Sequence, residues 1–220
     1  MSSSAAPTRP RRSQAERSAG TRTRLLEATL ACVIEQGYAH TTTAEIESRA
    51  GVSRGARLHH FATKAILVAA AVERLYEAVA ERYGEAIAQV APGSNRFRAG
   101  VELLWETYAD PTHSAVLELY VAARTDPELR ETLRELGRRH QKHVLQRANE
   151  YFPELARRDA SGLFETIQTS LTGLAIQRMV YGDRVRDEQV LDMIERMVER
   201  TFGTTPPSPD SSGRPERTDA

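Results

Sequence analysis

Ser53, Arg54, Gly55, Arg57, His59 and His60 fall within eight consecutive residues. They set a hydroxyl, two guanidinium groups and two imidazoles on a segment with little apolar surface. This is hydrogen-bond donor chemistry without an acid or a nucleophile to pair with it. Ser53, with Thr42 and Thr43 just upstream, supplies short hydroxyl donors suited to phosphate oxygens. Arg54 and Arg57 are long enough to grip a guanine edge bidentately in the major groove, and Gly55 permits close backbone approach. His59 and His60 suit phosphate or base, although His60, beside Phe61, could equally pack inside a domain. Elsewhere the chain has neither a nucleophile elbow nor a glycine-rich phosphate loop, so its sequence does not predict an enzyme. His140 and His143 lie three apart on a predicted helix, but no third ligand is evident and the single Cys32 reads as a core residue. No metal and no cofactor are expected.

Such a segment has to be held by neighbours. Upstream, Thr42 is placed to cap a short helix, with Glu45 three residues on to complete a capping box. Gly51 supplies a turn, Ile46, Ala50 and Val52 face inward, and Ser53 opens a second short helix. A longer helix over 21–36 precedes the pair. Leu26, Leu30 and Val33 recur there at helical spacing, Leu25, Thr29 and Cys32 widen the stripe, and Gly37 ends it. Phe61, Leu67 and Val68 would close a small core against that stripe. The pattern is a three-helix unit that presents a helix-turn-helix.

The run EQGYAHTTTAEIESRAGVSRGARLHHFATKAIL resembles the N-terminal domain of the TetR family of transcriptional regulators. Gly37, Tyr38, Thr42, Ile46, Ala50, Gly51, Val52, Ser53, Gly55, His60, Phe61 and Lys64 carry the likeness, which covers roughly residues 19 to 79. Two positions depart from the family pattern: Arg57 stands where an apolar residue is usual, and Leu58 replaces a tyrosine that commonly contacts phosphate. The resemblance implies a homodimeric DNA-binding regulator, usually a repressor that leaves a palindromic operator when a small molecule binds.

Charge distribution points independently to a polyanionic partner. The whole chain sums to zero, yet residues 1–64 carry a net +5, residues 65–203 a net −4 and the remainder −1. The positive excess lies before Leu25, in Arg9, Arg11, Arg12, Arg17, Arg22 and Arg24 against Glu16 alone. Arg22 and Arg24, at the start of the first helix, are expected DNA contacts. The more distal arginines suit either a phosphate-seeking arm or a solubilising tail. Lys64 follows Thr63, a predicted cap, and so places a cation in the first turn of a helix, against the helix dipole. A phosphate bound there would reverse that cost. Lys64 is accordingly expected to strengthen binding to all sequences alike.

The rest of the chain reads as helix: 63–90, broken at 91–95, then 96–109, 111–124, 127–151, 159–181 and 187–202. Asp126 before Pro127 is a cap-then-proline start. With no alternating strand pattern, the fold class is all-α. The expected organisation is a disordered basic arm over 1–18, the DNA-binding domain over 19–79, a helical effector-binding and dimerisation domain over 80–203 and a disordered tail over 204–220. Leu163, Phe164, Ile167, Leu171, Leu174 and Met179 form one apolar stripe, and Val190, Ile194, Met197 and Val198 another. Two such helices could pack on the same pair of a second copy as a four-helix bundle, or be buried within one subunit. Trp105, Tyr108, His113, Leu117 and Tyr120, with Gln168 and Thr172, place polar tips among apolar neighbours, as a small-molecule site would require; core packing explains each of them equally well. A DNA-binding regulator or architectural protein with no small-molecule input is the alternative, favoured if the middle of the chain is closed and fully packed. One cysteine among 220 residues, no signal peptide and no apolar span predict a cytosolic protein with no membrane partner.

Overall fold

The computed structural model describes residues 13–91, 95–153, 161–182 and 184–202. Every regular element among them is a helix: α1 (Gln14–His40), α2 (Thr43–Ala50), α3 (Arg54–His60), α4 (Lys64–Ala88), α5 (Asn95–Tyr108), α6 (Pro111–Ala122), α7 (Pro127–Tyr151), α8 (Ser161–Tyr181) and α9 (Arg184–Phe202). The fold class is all-α, as expected. Arg9, Arg11, Arg12, the expected break at 92–94 and the tail from 204 lie outside the described residues.

The first helix starts earlier than its apolar stripe suggests. Ser13 accepts the Glu16 N–H at 3.1 Å while the Glu16 carboxylate accepts the Ser13 N–H at 2.7 Å, a complete capping box. Residues 14–18, expected to belong to a disordered arm, are therefore the first turn of α1, and Arg17 is a helical residue. The other end is interrupted at Gly37, whose φ of 78° lies in the left-handed region that favours glycine. Its backbone is also where the Glu118 carboxylate of α6 comes to rest, so an added Cβ would collide with that carboxylate.

The described residues divide into two compact units, those within 1–82 and 107–144 and those within 83–106 and 145–220. In the first, two apolar clusters share α1 and α4. One joins Leu25, Leu26, Ala28 and Cys32 to Ile46, Ala50, Phe61, Leu67 and Ala71, which is the expected three-helix core. The other joins Val33, Tyr38, Val68 and Val72 to Val116 and Leu119 of α6 and Leu129, Leu133 and Leu136 of α7. The reader therefore shares its compact unit with α6 and most of α7.

Polar contacts lock this second cluster around Tyr38. Its N–H donates to Glu118 Oε1 at 3.1 Å and its hydroxyl donates to Asp126 Oδ2 at 3.0 Å. Asp126 Oδ1 in turn accepts the Leu129 N–H at 2.9 Å, the predicted cap of α7. That backbone bond, ahead of the Tyr38 hydroxyl, holds the Asp126 carboxyl below the usual carboxylate range. The kinked end of α1 is thus tied to both α6 and α7.

In the second unit, Phe97 and Phe152 stack with ring centroids 5.0 Å apart. Ile167, Leu171 and Leu174 of α8 and Ile194 and Val198 of α9 are all buried. Arg178 Nη1 donates to the buried Asp187 carboxylate at 3.0 Å while its guanidinium lies 5.5 Å from the Trp105 ring centroid.

Candidate nucleic-acid interface

The helix-turn-helix is built as its residue types require. Thr42 Oγ1 accepts the Glu45 N–H at 3.2 Å, which forms one half of the expected capping box. Gly51 turns the chain at φ 61°, and Ser53 Oγ caps α3 by accepting the Ala56 N–H at 3.3 Å. A hydroxyl oxygen that accepts an N–H keeps its own proton to donate. Thr42 and Ser53 therefore remain competent phosphate donors at exposed positions, with Thr43 half-buried beside them.

On α3 the exposed residues are Arg54, Gly55, Leu58 and His59, a single face at helical spacing. Arg57 is not on it. This corrects the expectation that Arg57 reads a base: only 6% of its side chain is exposed, its Nε donates to Glu47 Oε1 at 2.9 Å, and its Nη1 donates to the carbonyls of Phe61 and Ala62, both at 3.1 Å. The guanidinium pins α2 to α3 and satisfies carbonyls beyond the end of α3. The signal lay in the family resemblance, which implies an apolar and hence inward-pointing residue at this position.

Lys64 also departs from the expected free cation. Its ammonium donates to the Tyr38 carbonyl at 2.6 Å and sits 3.8 Å from the Tyr38 ring centroid. Partial burial lowers its pKa. The lysine ties the start of α4 to the end of α1, and Thr63 caps α4 as predicted by accepting the Ile66 N–H at 3.2 Å.

Arg22 and Arg24 are exposed in the third turn of α1, which begins earlier than expected. The Arg22 guanidinium lies 5.6 Å from the Phe61 ring centroid, and Arg24 Nη2 donates to Thr21 Oγ1 at 3.4 Å. His60 is half-buried. Burial, then the neighbouring His59 and Arg22, lower its pKa and favour the neutral ring. Arg54 and His59 on the exposed face of α3, with Thr42, Thr43, Ser53, Arg22 and Arg24 on neighbouring segments, are groups that can donate to phosphates and base edges.

The expected effector residues divide between the two units. Trp105, Gln168 and Thr172 belong to the second unit, where Trp105 packs under Arg178. Tyr108, His113, Leu117 and Tyr120 belong to the first. There, Tyr76, not singled out in the sequence, and His140, weighed only as a metal ligand, add to Tyr120. Tyr76 of α4 stacks on His140 of α7 with ring centroids 3.9 Å apart, and its hydroxyl lies 3.4 Å from that of Tyr120. Tyr108 and His113 rings are 4.4 Å apart, and His113 Nε2 is buried without a hydrogen-bond partner. Such an orphaned polar atom requires an explanation. A separate cleft lined by Leu30, Val33, Val72, Thr112 and Val116 is apolar and no larger than a water molecule, and it includes none of the expected effector residues.

Burial pushes the His140 imidazole down to about 4 from its usual 6.5, with His143 and His113 adding repulsion. The unfolded chain therefore takes up a proton below about pH 6.5 that the folded chain refuses until about pH 4. This contribution to stability is full above pH 6.5 and is lost as the pH falls toward 4. Urea denaturation at pH 7 and pH 4.5 is expected to show that acid loss in the native chain and a smaller one in His140→Phe, which keeps a ring against Tyr76. Equal losses would mean that the imidazole is solvated.

The predicted dimer stripes need correction at five positions. Ile167, Leu171, Leu174, Ile194 and Val198 are buried within the single chain, and Phe164 and Met197 are half-buried. The five buried side chains are used within the chain, while Phe164 and Met197 keep part of their surface exposed. Ile176, Val180 and Tyr181 on α8 and Met193 on α9, outside the predicted stripes, are exposed apolar residues together with Met179 of the α8 stripe, with Val180 at 73%. Both sets are apolar at helical spacing, so periodicity alone could not separate them.

An all-helical chain with a capped helix-turn-helix and a donor-rich reading face is a DNA-binding regulator. The sequence profile of bacterial regulatory proteins of the tetR family matches residues 25–71, and that of the BetI-type transcriptional repressor C-terminal domain matches residues 95–203. The chain is 36% identical over 182 residues to the HTH-type transcriptional regulator CymR of Pseudomonas putida, covering 82% of this chain and 90% of that one. It is 33% identical over 193 residues to an HTH-type transcriptional regulator of Mycobacterium bovis, covering 85% and 97%. Among solved structures, a TetR-family regulator from Mesorhizobium loti matches with a TM-score of 0.62 at 20% identity, covering 84% of this chain and 96% of that one. A regulator from Saccharomonospora viridis, crystallised in complex with choline, matches with a TM-score of 0.60 at 18% identity, covering 82% and 96%. The chain belongs to the TetR family of transcriptional regulators. It is a DNA-binding transcriptional regulator and not an enzyme. No helix among the described residues is long and apolar enough to cross a membrane.

Proposed function

We propose that the protein is a homodimeric repressor that holds a palindromic operator through α3 and releases it when a small molecule binds among α4, α6 and α7. The observation that carries DNA recognition is the exposed Arg54–Gly55–Leu58–His59 face, standing clear of a core that Ile46, Phe61 and Leu67 complete without it. Arg54 is the bidentate guanine reader on this reading. Arg22, Arg24, Thr42, Thr43 and Ser53 hold phosphates and set the register.

The effector reading rests on the Tyr76, Tyr108, His113, Tyr120 and His140 cluster and its orphaned imidazole nitrogen. A ligand that hydrogen-bonds there presses on α6, whose Glu118 holds the Tyr38 N–H. Release then follows if the ligand binds better to a conformation in which the two reading helices no longer match the operator spacing. The Saccharomonospora viridis relative shows that a regulator of this fold binds a small molecule.

Two copies reading half-sites about one helical turn apart account for a palindrome. The DNA reading is tested by fluorescence anisotropy on duplexes selected from a random pool. Affinity is expected to fall steeply with salt, by about 0.9 of a logarithmic unit per logarithmic unit of salt for each phosphate neutralised. Arg54→Ala is expected to erase roughly 1–3 kcal/mol of preference at one base pair per half-site. Binding to non-specific duplex should change little. Equal loss on selected and random duplexes would remove the base-reading role of Arg54.

A further inference from the structure

We propose that Leu58 is a specificity-determining residue, reading a thymine through its C5 methyl group one or two base pairs from the guanine held by Arg54. The proposal rests on the DNA-binding reading above and adds a second base contact to it. Leu58 is 46% exposed on α3 and belongs to neither apolar cluster of its unit. Its neighbours on the exposed face are Arg54, Gly55 and His59. A branched aliphatic side chain in that setting gains nothing from phosphates. In the major groove, the base-edge group that rewards apolar contact is the methyl of thymine.

The spacing suits this assignment. Arg54 and Leu58 are four residues apart on one face, about 6 Å along the helix at 1.5 Å per residue. Base pairs repeat about every 3.4 Å, so the two side chains address neighbouring steps of one half-site. Leucine is much shorter than arginine, and it reaches a base edge only if the helix backbone comes close. Gly55 supplies that closeness. A Cβ built on it meets nothing within 4 Å, so no packing within the chain demands a glycine there. A glycine there leaves the backbone of α3 open to close approach from outside.

Such a methyl contact distinguishes thymine from uracil and from unmethylated cytosine. The test uses the full-length chain and a duplex selected by it from a random-sequence pool, with each symmetric pair of thymines replaced in turn by deoxyuridine. One pair is expected to lose affinity by about fourfold per half-site, the transfer value of one methyl group. The others should be silent. Leu58→Ala should bind the thymine and uracil forms of that duplex equally, with an unchanged melting temperature because the side chain lies outside the core. A tightly bound duplex on which every replacement is silent overturns the proposal and leaves DNA recognition standing. Sensitivity that persists in Leu58→Ala also overturns it, by assigning the methyl to another residue. Failure to select any duplex overturns both readings.

Discussion

Replacing Arg57 by alanine is expected to unfold the DNA-binding unit at moderate denaturant, with a loss of roughly 3–5 kcal/mol, the range for breaking one side of a buried ion pair. Three donated bonds disappear together. The Glu47 carboxylate, only 14% exposed, is left without its partner, and the Phe61 and Ala62 carbonyls lose the guanidinium that satisfied them. Operator affinity is expected to fall with the folded fraction and to do so equally for all sequences. The double change Arg57→Met with Glu47→Gln removes both charges, and stability should return close to that of the native chain because an apolar side chain suits this inward position. Urea denaturation of the three proteins, read alongside anisotropy on selected and random duplexes, decides the matter. An Arg57→Ala variant of native stability that has lost preference at one base pair would restore Arg57 to the reading face.

Placing a charge on the α8 face is expected to have the larger effect on DNA binding itself. Val180→Glu puts a carboxylate at the centre of the exposed Ile176, Met179, Val180 and Tyr181 patch. If that patch joins two copies, burying the carboxylate without a partner is prohibitive and the protein should sediment as a monomer. Affinity for the selected palindrome should then drop by a factor of about 10² to 10⁴, because the second half-site no longer gains the effective concentration that a linked partner provides. The substitution lies at 73% exposure and should leave the melting temperature of the monomer intact. The matched control is Leu171→Ala, which opens a cavity within the chain and should lower stability by roughly 2–5 kcal/mol. A Val180→Glu protein that still sediments as a dimer would place the interface elsewhere.

Much of this architecture is written locally. Thr42, Gly51 and Ser53 each determine a cap or a turn through bonds to residues within five positions, and so the helix-turn-helix was readable from residue types alone. The same holds for Thr63 and Asp126, whose caps were predicted. The capping box at Ser13 and Glu16 is equally local, but it was obscured by the arginines and small residues around it. The effector candidates were harder. Tyr108, His113 and Tyr120 are close in sequence, whereas Tyr76 and His140 reach them from α4 and α7.

By itself, then, the sequence determined the helical class, the position of the reader and the donor chemistry of its exposed face, because caps, turns and apolar periodicity act over a few residues. Only the tertiary structure decided which side of each stripe was used. It buried Arg57 against Glu47, turned Lys64 to the Tyr38 carbonyl, and consumed Leu171 and Ile194 inside one chain while leaving Val180 outside. Those outcomes depend on which helix arrives opposite which, a long-range matter of packing that periodicity along one helix does not encode.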